Sequence, residues 1–263
     1  MSPSSQPEPR KLEEAAFHDR LRGLYETDPE QYGYFTSNKK FYSVVQSSQD
    51  FYSRWLHENA TGKRVLDFGC GAGAATTEMA VYARQVTGID ISPEAIKLAR
   101  ERADAAGLAS KMTFTLMDGE ALEFADASFD VVTVTGVLHH VDLDAALTQI
   151  RRVLTPDGKA IFLEALANNP FIHAYRKRTP HLRTAWETDH ILRYEDVAKI
   201  RKYFKKVNVR TFHLAVLAAV PFRNTRAFAP VRVALDAVDR AILRLPGLRS
   251  QGWIACFLLS EPT

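Results

Sequence analysis

Strand and helix patterns alternate regularly between residues 64 and 166, and this alternation limits the fold more than any other feature of the chain. The apolar strand patterns cover 64–70, 85–91, 112–118, 129–137 and 159–166. The helical patterns between them cover 74–83, 92–107 and 142–154. A chain that alternates in this way pairs its strands in parallel and covers both faces of the sheet with helices. The sequence therefore predicts a doubly wound α/β sheet.

The rest of the chain divides into segments of different composition. Pro, Ser and Glu dominate residues 1–16, which predicts a disordered tail. Residues 17–60 are rich in aromatic side chains and predict a helical lid ahead of the main domain at 61–263. Insertions at 167–193 and 215–251 interrupt that domain after its fifth strand. Further helices are predicted at 39–58 and 194–204, and further strands at 206–214 and 252–260.

The composition argues against several classes of partner. The formal net charge is +3, so no bulk positive field indicates a nucleic-acid partner. The longest nearly apolar run, Leu214–Phe222, is too short to span a bilayer. Cys70 and Cys256 lie too far apart in sequence to indicate a disulfide framework or a metal knuckle. A cytoplasmic protein is expected.

The first predicted strand runs into a glycine loop, Asp67-Phe68-Gly69-Cys70-Gly71-Ala72-Gly73, which leads into a helix. Residues without a β-carbon let a ligand approach the backbone of such a turn. The loop is ambiguous on its own, because Gly69, Gly71 and Ala74 also satisfy the dinucleotide fingerprint G-x-G-x-x-G/A. Asp90 ends the second strand and suits either cofactor, since both carry a ribose diol. An NAD(P)-dependent oxidoreductase therefore stays open at this point.

Three further features distinguish the two cofactors. Asp67 would repel a pyrophosphate, but it suits a ligand with an amino group and a sulfonium. Asp118 closes the third strand in MDGEAL, where it can meet an adenine amine. The third feature is the pair of segments SFDVVTVTGVLHHV and RRVLTPDGKAIFLE. With these features the chain closely resembles the class I S-adenosylmethionine-dependent methyltransferases, in particular the small-molecule, UbiE-like group.

The resemblance implies S-adenosylmethionine as the cofactor and a Rossmann-like, seven-stranded sheet whose last strand is antiparallel. It makes Asp90 the ribose acid and Asp118 the adenine-contacting acid. The family turn R-V-L-x-P-G-G is met at 152–158, with Asp157 in place of one glycine. The expected cofactor contacts are Asp67, Phe68, Gly69, Cys70, Gly71, Gly73, Asp90, Ile91, Asp118, Gly119, Glu120 and Thr135.

His139 and His140 directly follow the fourth strand, at the edge of the sheet where ligands bind in such folds. Imidazole titrates near neutrality and is the usual general base for a hydroxyl. Some sugar O-methyltransferases resemble this chain in pairing such histidines with an acid after strand five, and Glu164 stands at that place. His139, His140 and Glu164 are therefore the predicted catalytic residues, with packing or helix capping by a histidine as the alternative. Asp142 is interpreted as a helix N-cap, and no metal is expected.

The acceptor is expected to be a small molecule, such as a natural product or a sugar- or lipid-like compound. Segment 175–183 packs four cations and a histidine together, which is typical of a clamp for a carboxylate or phosphate. A solvated loop or an oligomer contact is the alternative. If the clamp is real, C-methylation of a prenyl diphosphate or another anionic acceptor becomes an alternative function. The predicted substrate contacts are Tyr42, Tyr52, Tyr175, Arg176, Arg178, His181 and Arg183.

The second insertion contains a predicted amphipathic helix at 230–245. Its apolar face carries Val231, Leu235, Val238, Ile242 and Leu245. Its polar face carries Arg232, Asp236, Arg240 and Arg244. Packing onto the sheet is the default expectation, and contact with an anionic membrane surface or a second copy of the chain is the alternative.

Overall fold

A seven-stranded sheet forms the centre of the protein in a computed structural model that describes residues 8–35 and 37–263. The strands are β1 (Arg64–Phe68), β2 (Gln85–Asp90), β3 (Met112–Leu116), β4 (Phe129–Thr135), β5 (Leu154–Ala165), β6 (Phe204–Phe212) and β7 (Ile254–Pro262). Their order across the sheet is β3-β2-β1-β4-β5-β7-β6. The neighbours among β1 to β5 are parallel, and β7 is antiparallel to both β5 and β6. This confirms the predicted doubly wound α/β sheet with an antiparallel last strand.

Helices cover both faces of the sheet. In the described residues they are α1 (Pro9–Thr27), α2 (Pro29–Phe35), α3 (Gln46–Ala60), α4 (Ala74–Ala80), α5 (Pro93–Ala105), α6 (Leu143–Val153), α7 (Pro170–Arg178), α8 (Ala185–His190), α9 (Val197–Ile200) and α10 (Phe228–Ile242). Ser92 and Asp142 act as N-caps, because their side chains accept backbone N–H groups three residues on, at 2.9 and 2.8 Å. The N-cap predicted for Asp142 is therefore confirmed.

Alternate side chains of each strand build an apolar core on either face of the sheet. Leu66 of β1 packs with Leu147 of α6 on one face. Val65 packs with Leu56 of α3 and Ile96 of α5 on the other. Because parallel strands are buried on both faces, they appear in the sequence as continuous apolar runs, which is why they could be predicted.

The N-terminal segment differs from the prediction. Residues 1–7 of the predicted disordered tail lie outside the described residues, but α1 begins at Pro9, so 9–16 are helical. Proline suits the first turn of a helix, where its missing N–H is not needed. The helix predicted over 39–58 is divided into a 3₁₀ segment at Ser37–Val44 and the α-helix α3.

Two boundaries after α6 also differ. β5 begins at Leu154 rather than 159, because Leu154 already pairs with Phe129 of β4. The helix predicted at 194–204 is a 3₁₀ turn followed by α9, and β6 begins at Phe204.

The predicted amphipathic helix is α10, but its faces are not as predicted. Asp236 is buried, and it pairs with Arg232 at 3.2 Å and accepts the Ser47 hydroxyl at 3.0 Å. Val238 and Leu245, predicted to be on the packed face, are exposed. Val231 and Leu235 of the predicted apolar face do pack, against the 3₁₀ segment Ala215–Phe222.

No helix in the described part of the chain is long and apolar enough to cross a membrane.

Candidate functional site

The glycine loop after β1 depends on backbone conformations that favour residues without a β-carbon. Gly69, Gly71 and Gly73 have φ angles of 77°, 53° and 75°. A β-carbon on Gly69 would lie 2.3 Å from Val137 Cγ2, which is too close. The Gly69 N–H donates to the Ile89 carbonyl at 2.9 Å and ties the loop to β2. The loop therefore keeps its backbone open to a close ligand.

A first cavity lies at the carboxyl ends of β1, β2 and β4, beside this loop. The predicted cofactor residues that line it are Phe68, Gly69, Gly71, Asp90, Ile91, Asp118, Gly119, Glu120 and Thr135. The Asp90 carboxylate accepts the N–H groups of Gly71 and Ser92 at 2.8 and 2.9 Å, which fixes its orientation. The predicted acidic residues Asp90, Asp118 and Glu120 thus stand around one cavity.

Asp67, Cys70 and Gly73 support the loop from behind instead of lining the first cavity. Asp67 is 4% exposed and accepts the Thr76 hydroxyl at 2.5 Å. Burial, reinforced by the charge of Asp90, raises the pKa of Asp67 to about 6 despite that hydrogen bond. A buried carboxyl of this kind ionises more readily when a cationic group binds nearby.

Helix α1 covers the first cavity and contributes Lys11, Glu14 and His18 to its wall. Lys11 Nζ lies 2.7 Å from Asp118 Oδ2 and 2.9 Å from Glu120 Oε2. Arg10 adds a second ion pair to Glu120 at 2.8 Å. The sequence does not predict these residues, because Arg10, Lys11 and Glu14 fall in the expected disordered tail and His18 falls in the expected lid. The proline at the first turn, followed by a pattern of charged and apolar residues, was the signal that could have found them.

The two predicted catalytic histidines have different partners. His140 Nδ1 lies 2.9 Å from Glu14 Oε2, and the His18 ring packs edge-on against it at a centroid distance of 5.0 Å. Burial opposes the charge on His140, but the ion pair with Glu14 outweighs it, so the pKa of His140 is raised. Glu14, His18 and His140 each offer one ligand atom within 4.8 Å of the others, a cluster that the sequence did not predict. His140 thus belongs to the contact with α1.

His139 pairs with Glu164. The Glu164 side chain is buried in the sheet, and its Oε1 accepts the N–H groups of Val137 and Leu138, both at 2.8 Å. Its Oε2 lies 3.0 Å from His139 Nδ1. A carboxylate at Nδ1 favours the tautomer with a proton there, and this leaves Nε2 of His139 as the proton acceptor. The geometry makes Glu164 a group that orients His139.

The structure separates the two tyrosines that were predicted to contact substrate. Tyr52 is 8% exposed in the core, and its hydroxyl bonds to the hydroxyls of Thr133 and Thr135. It therefore supports Thr135, a residue of the first cavity, from behind. Tyr42 packs edge-on against Trp253 at 5.3 Å, with half of its side chain open. Burial of part of the ring raises the pKa of Tyr42.

The predicted basic clamp is only partly assembled. Arg176 donates to the Leu166 carbonyl at 3.1 Å, and Arg183 pairs with Glu187 at 3.2 Å. Burial, followed by the like charge of Arg183, lowers the pKa of Arg176 to about 10, so the two guanidinium groups lie near each other. Tyr42 is electrostatically coupled to both arginines.

The other members of the basic stretch face away from this pair. Arg178 and His181 are exposed, and His181 stacks on Tyr34 at a centroid distance of 5.0 Å. Tyr175 packs edge-on against Phe41 at 4.8 Å. Of the predicted clamp, the structure brings Arg176 and Arg183 near each other, and the role of the other residues stays a prediction.

Comparison with known proteins agrees with this geometry. Residues 66–162 match the family model described as a methyltransferase domain. An O-methyltransferase of Penicillium expansum, cnsE, is 35% identical over 42% of this chain and 41% of its own length. A ubiquinone biosynthesis O-methyltransferase of Bordetella parapertussis is 36% identical over 44% of this chain and 49% of its own. The ubiquinone/menaquinone biosynthesis C-methyltransferase UbiE of Geotalea uraniireducens is 34% identical over 40% and 46%. The chain thus spans less than half the length of these three relatives.

Solved structures share the fold at lower identity. A phosphoethanolamine N-methyltransferase of Haemonchus contortus, solved with phosphomonomethylethanolamine and S-adenosylhomocysteine, gives a TM-score of 0.59 at 19% identity. The match covers 90% of this chain and 59% of that one. The [4+2]-cyclase SpnF gives a TM-score of 0.56 at 20% identity, over 83% of both chains. These likenesses extend the fold beyond the segment that the family model matches.

Proposed function

Because the chain carries a class I S-adenosylmethionine-dependent methyltransferase domain, we propose that it transfers the methyl group of that cofactor to a hydroxyl or carbon atom of a small molecule. The relatives named above include O- and C-methyltransferases, and none of them is named as an oxidoreductase. The observation that carries the proposal is the His139–Glu164 pair. His139 follows β4, which lies beside the strand β1 that leads into the glycine loop, and Glu164 lies near the end of β5. A natural product or a sugar- or lipid-like compound is the proposed class of acceptor.

The first cavity fits S-adenosylmethionine, which when bound supplies an electrophilic methyl group on a sulfonium. Gly69 and Gly71 would hold it at the loop, since both line the first cavity in backbone conformations that favour glycine. Asp90 would accept its ribose hydroxyls, since the carboxylate is already oriented by two backbone amides. Asp67, whose pKa is raised in the free protein, would ionise and favour the positive charge of the ligand.

His139 is the proposed general base. With Nδ1–H held by Glu164, its Nε2 would take the proton of an acceptor hydroxyl, or of the acceptor carbon after methylation. The charge that His139 then gains is stabilised by the Glu164 carboxylate, which Val137 and Leu138 hold through their amides. Glu164 is therefore a positioning residue, and His140 is committed to Glu14.

Cofactor binding and base catalysis are tested separately. Asp67→Ala should weaken S-adenosylhomocysteine binding in calorimetry by about tenfold or more, because a buried countercharge is lost. His139→Gln should bind normally, while release of S-adenosylhomocysteine in the presence of a panel of hydroxylated acceptors slows by roughly 10²- to 10⁴-fold. Glu164→Gln should slow the same reaction while S-adenosylhomocysteine still binds, since the variant no longer orients His139 or stabilises its charge. A wild-type chain that binds no S-adenosylhomocysteine would refute the proposal.

The second candidate function is methylation of an acceptor that carries a carboxylate or phosphate, such as a prenyl diphosphate. Arg176 is the residue that supports it. No carboxylate forms an ion pair with its guanidinium among the described residues. Glu187 acts on Arg176 only through its charge, and it is itself paired with Arg183. A buried cation of this kind suits an anionic ligand. Arg176→Gln should then raise KM for anionic acceptors and leave kcat and neutral acceptors unchanged. Arg178→Gln, at an exposed residue of the same helix, is the matched control and should leave KM and kcat unchanged for anionic and neutral acceptors alike.

Helix α1 is proposed as a lid over the first cavity, so the predicted lid at 17–60 extends back to residue 9. Lys11 binds Asp118 at the place where the cofactor's adenine amine is expected. An adenine contact to Asp118 Oδ2 would therefore require Lys11 to share or release that oxygen. Cys70 and Cys256 are buried and form no disulfide, which fits a reducing compartment, and a cytoplasmic location remains part of the proposal.

A further inference from the structure

A second cavity of about 660 Å³ opens at the β6 edge of the sheet, between α3, β6 and α10. It shares no lining residue with the first cavity. Its volume is typical of small-molecule sites. The second cavity is therefore large enough to hold a ligand of its own.

Five arginines stand around the second cavity: Arg54, Arg210, Arg240, Arg244 and Arg249. Across the described residues, none of them forms an ion pair with a carboxylate. Arg210 lies over the rings of Phe51 and Phe212 at 4.7 and 5.2 Å, and Arg249 donates to the Val209 carbonyl at 2.9 Å. Most of their guanidinium donors thus remain available, and these donors bind carboxylate or phosphate oxygens best.

The acidic residues of the second cavity are bonded elsewhere. Asp239 accepts the backbone N–H groups of 214–216, at 2.6 to 3.2 Å. Asp236 accepts the Ser47 hydroxyl and pairs with Arg232, which does not line the cavity. Asp50 accepts the Gln46 amide at 2.6 Å. The acids do not neutralise the five arginines by direct contact, so the cavity favours an anion.

One buried polar atom in a residue that lines the second cavity, His213 Nδ1, has no hydrogen-bond partner within the described residues, and His213 is 0% exposed. The Ser48 hydroxyl donates to the Val45 carbonyl at 2.9 Å, so His213 Nε2 donates to Ser48 Oγ at 2.8 Å. His213 Nδ1 then carries a lone pair. Burial lowers the pKa of His213 to about 3, so the ring stays neutral. A lone pair at this place needs a hydrogen-bond donor, which a phosphate oxygen alone does not supply.

We propose that the second cavity binds a phosphate ester that also carries hydroxyl groups. The arginines would take the phosphate oxygens, and a ligand hydroxyl would donate to His213 Nδ1. The rings of Phe51 and Phe212 would hold Arg210 in place from the side. This chemistry occurs in a free sugar phosphate and in the hydroxylated headgroup of a phospholipid, and the experiment distinguishes these two sources.

The test is calorimetry of the full chain at about 0.15 M salt, where weak surface pairing is screened. Glucose 6-phosphate should bind more tightly than inorganic phosphate, because its hydroxyl groups add contacts. Arg210→Gln with Arg244→Gln should weaken this binding by about tenfold or more. Arg226→Gln, an exposed arginine outside the cavity, should leave it unchanged.

A parallel measurement uses vesicles of phosphatidylglycerol in phosphatidylcholine. Vesicle binding that falls in the Arg210/Arg244 variant, with no binding of glucose 6-phosphate, would support the proposal and assign the phosphate to a lipid headgroup. The proposal is wrong if the Arg210/Arg244 variant binds glucose 6-phosphate and the vesicles as well as the wild type does, or if the wild type binds neither. It is also wrong if Arg226→Gln weakens binding as much as the double variant. Far-UV circular dichroism of each variant checks that the fold is retained.

Discussion

At the scale of single residues, burial changes the ionisation of Asp67, which supports the glycine loop. Burial, with the charge of Asp90, raises its pKa from the ordinary 3.8 to about 6. Between these values the folded chain binds more protons than the unfolded chain does. The Asp67 carboxyl therefore makes its full favourable contribution to the free energy of unfolding below a pH of about 4. That contribution is lost as the pH rises through about 6.

Asp67→Asn should remove this pH dependence. Without ligand, the stability of the variant relative to wild type should rise by on the order of 2 kcal/mol between pH of about 4 and 7, since only the wild type has a buried carboxyl to ionise. Urea unfolding at the two pH values measures the difference. A stability difference that does not change with pH would show that Asp67 has an ordinary pKa.

Gly69 tests how far the loop depends on its shape. Gly69→Ala combines a left-handed φ of 77° with a β-carbon 2.3 Å from Val137 Cγ2, and should destabilise the fold by about 2 kcal/mol or more. Gly62→Ala is the matched control, because Gly62 has a φ of 71° and open space around it. It should cost only about 1 kcal/mol, the conformational part. Equal losses in chemical denaturation would contradict the close contact with Val137.

At the scale of elements, α1 is held to the domain by ion pairs rather than by a large apolar face. Replacing both Arg10 and Lys11 with alanine removes the ion pairs to Asp118 and Glu120. Amide exchange across 9–27 should then become faster, with little change in the sheet. Lys97→Ala, which breaks an exposed pair with Glu94, is the control and should leave α1 unchanged. An unchanged exchange rate in the double variant would show that other contacts hold α1.

The elements differ in how well the sequence predicts them, for physical reasons. The strands and the glycine loop are predictable because burial on two faces and close backbone approach each demand particular residue types over a short stretch. The position of α1 could not be predicted from the sequence, because its partners Asp118 and Glu120 lie more than a hundred residues away along the chain. For Glu164 the sequence indicates the place, but its role as an acceptor for the Val137 and Leu138 amides depends on the fold.

At the scale of the whole molecule, β7 connects the edge strand β6 to the rest of the sheet, since it lies between β5 and β6. Phe257 of β7 is fully buried in the core on one face. Phe257→Ala should therefore lower the free energy of unfolding by about 3 to 5 kcal/mol. Leu245→Ala, at a residue that is 54% exposed, should change it by less than about 0.5 kcal/mol. Similar urea midpoints for the two variants would contradict this account of the core.

The position of β7 also affects how the chain folds while it is being made. β6 leaves the ribosome before β7, yet its strand partner in the sheet is β7. Until residues 254–262 have been synthesised, both β6 and the outer edge of β5 lack that partner. Exposed strand edges recruit other strands, so a nascent chain at this stage is most open to mispairing and to capture by chaperones. A pause in translation between β6 and β7 would prolong that vulnerable interval.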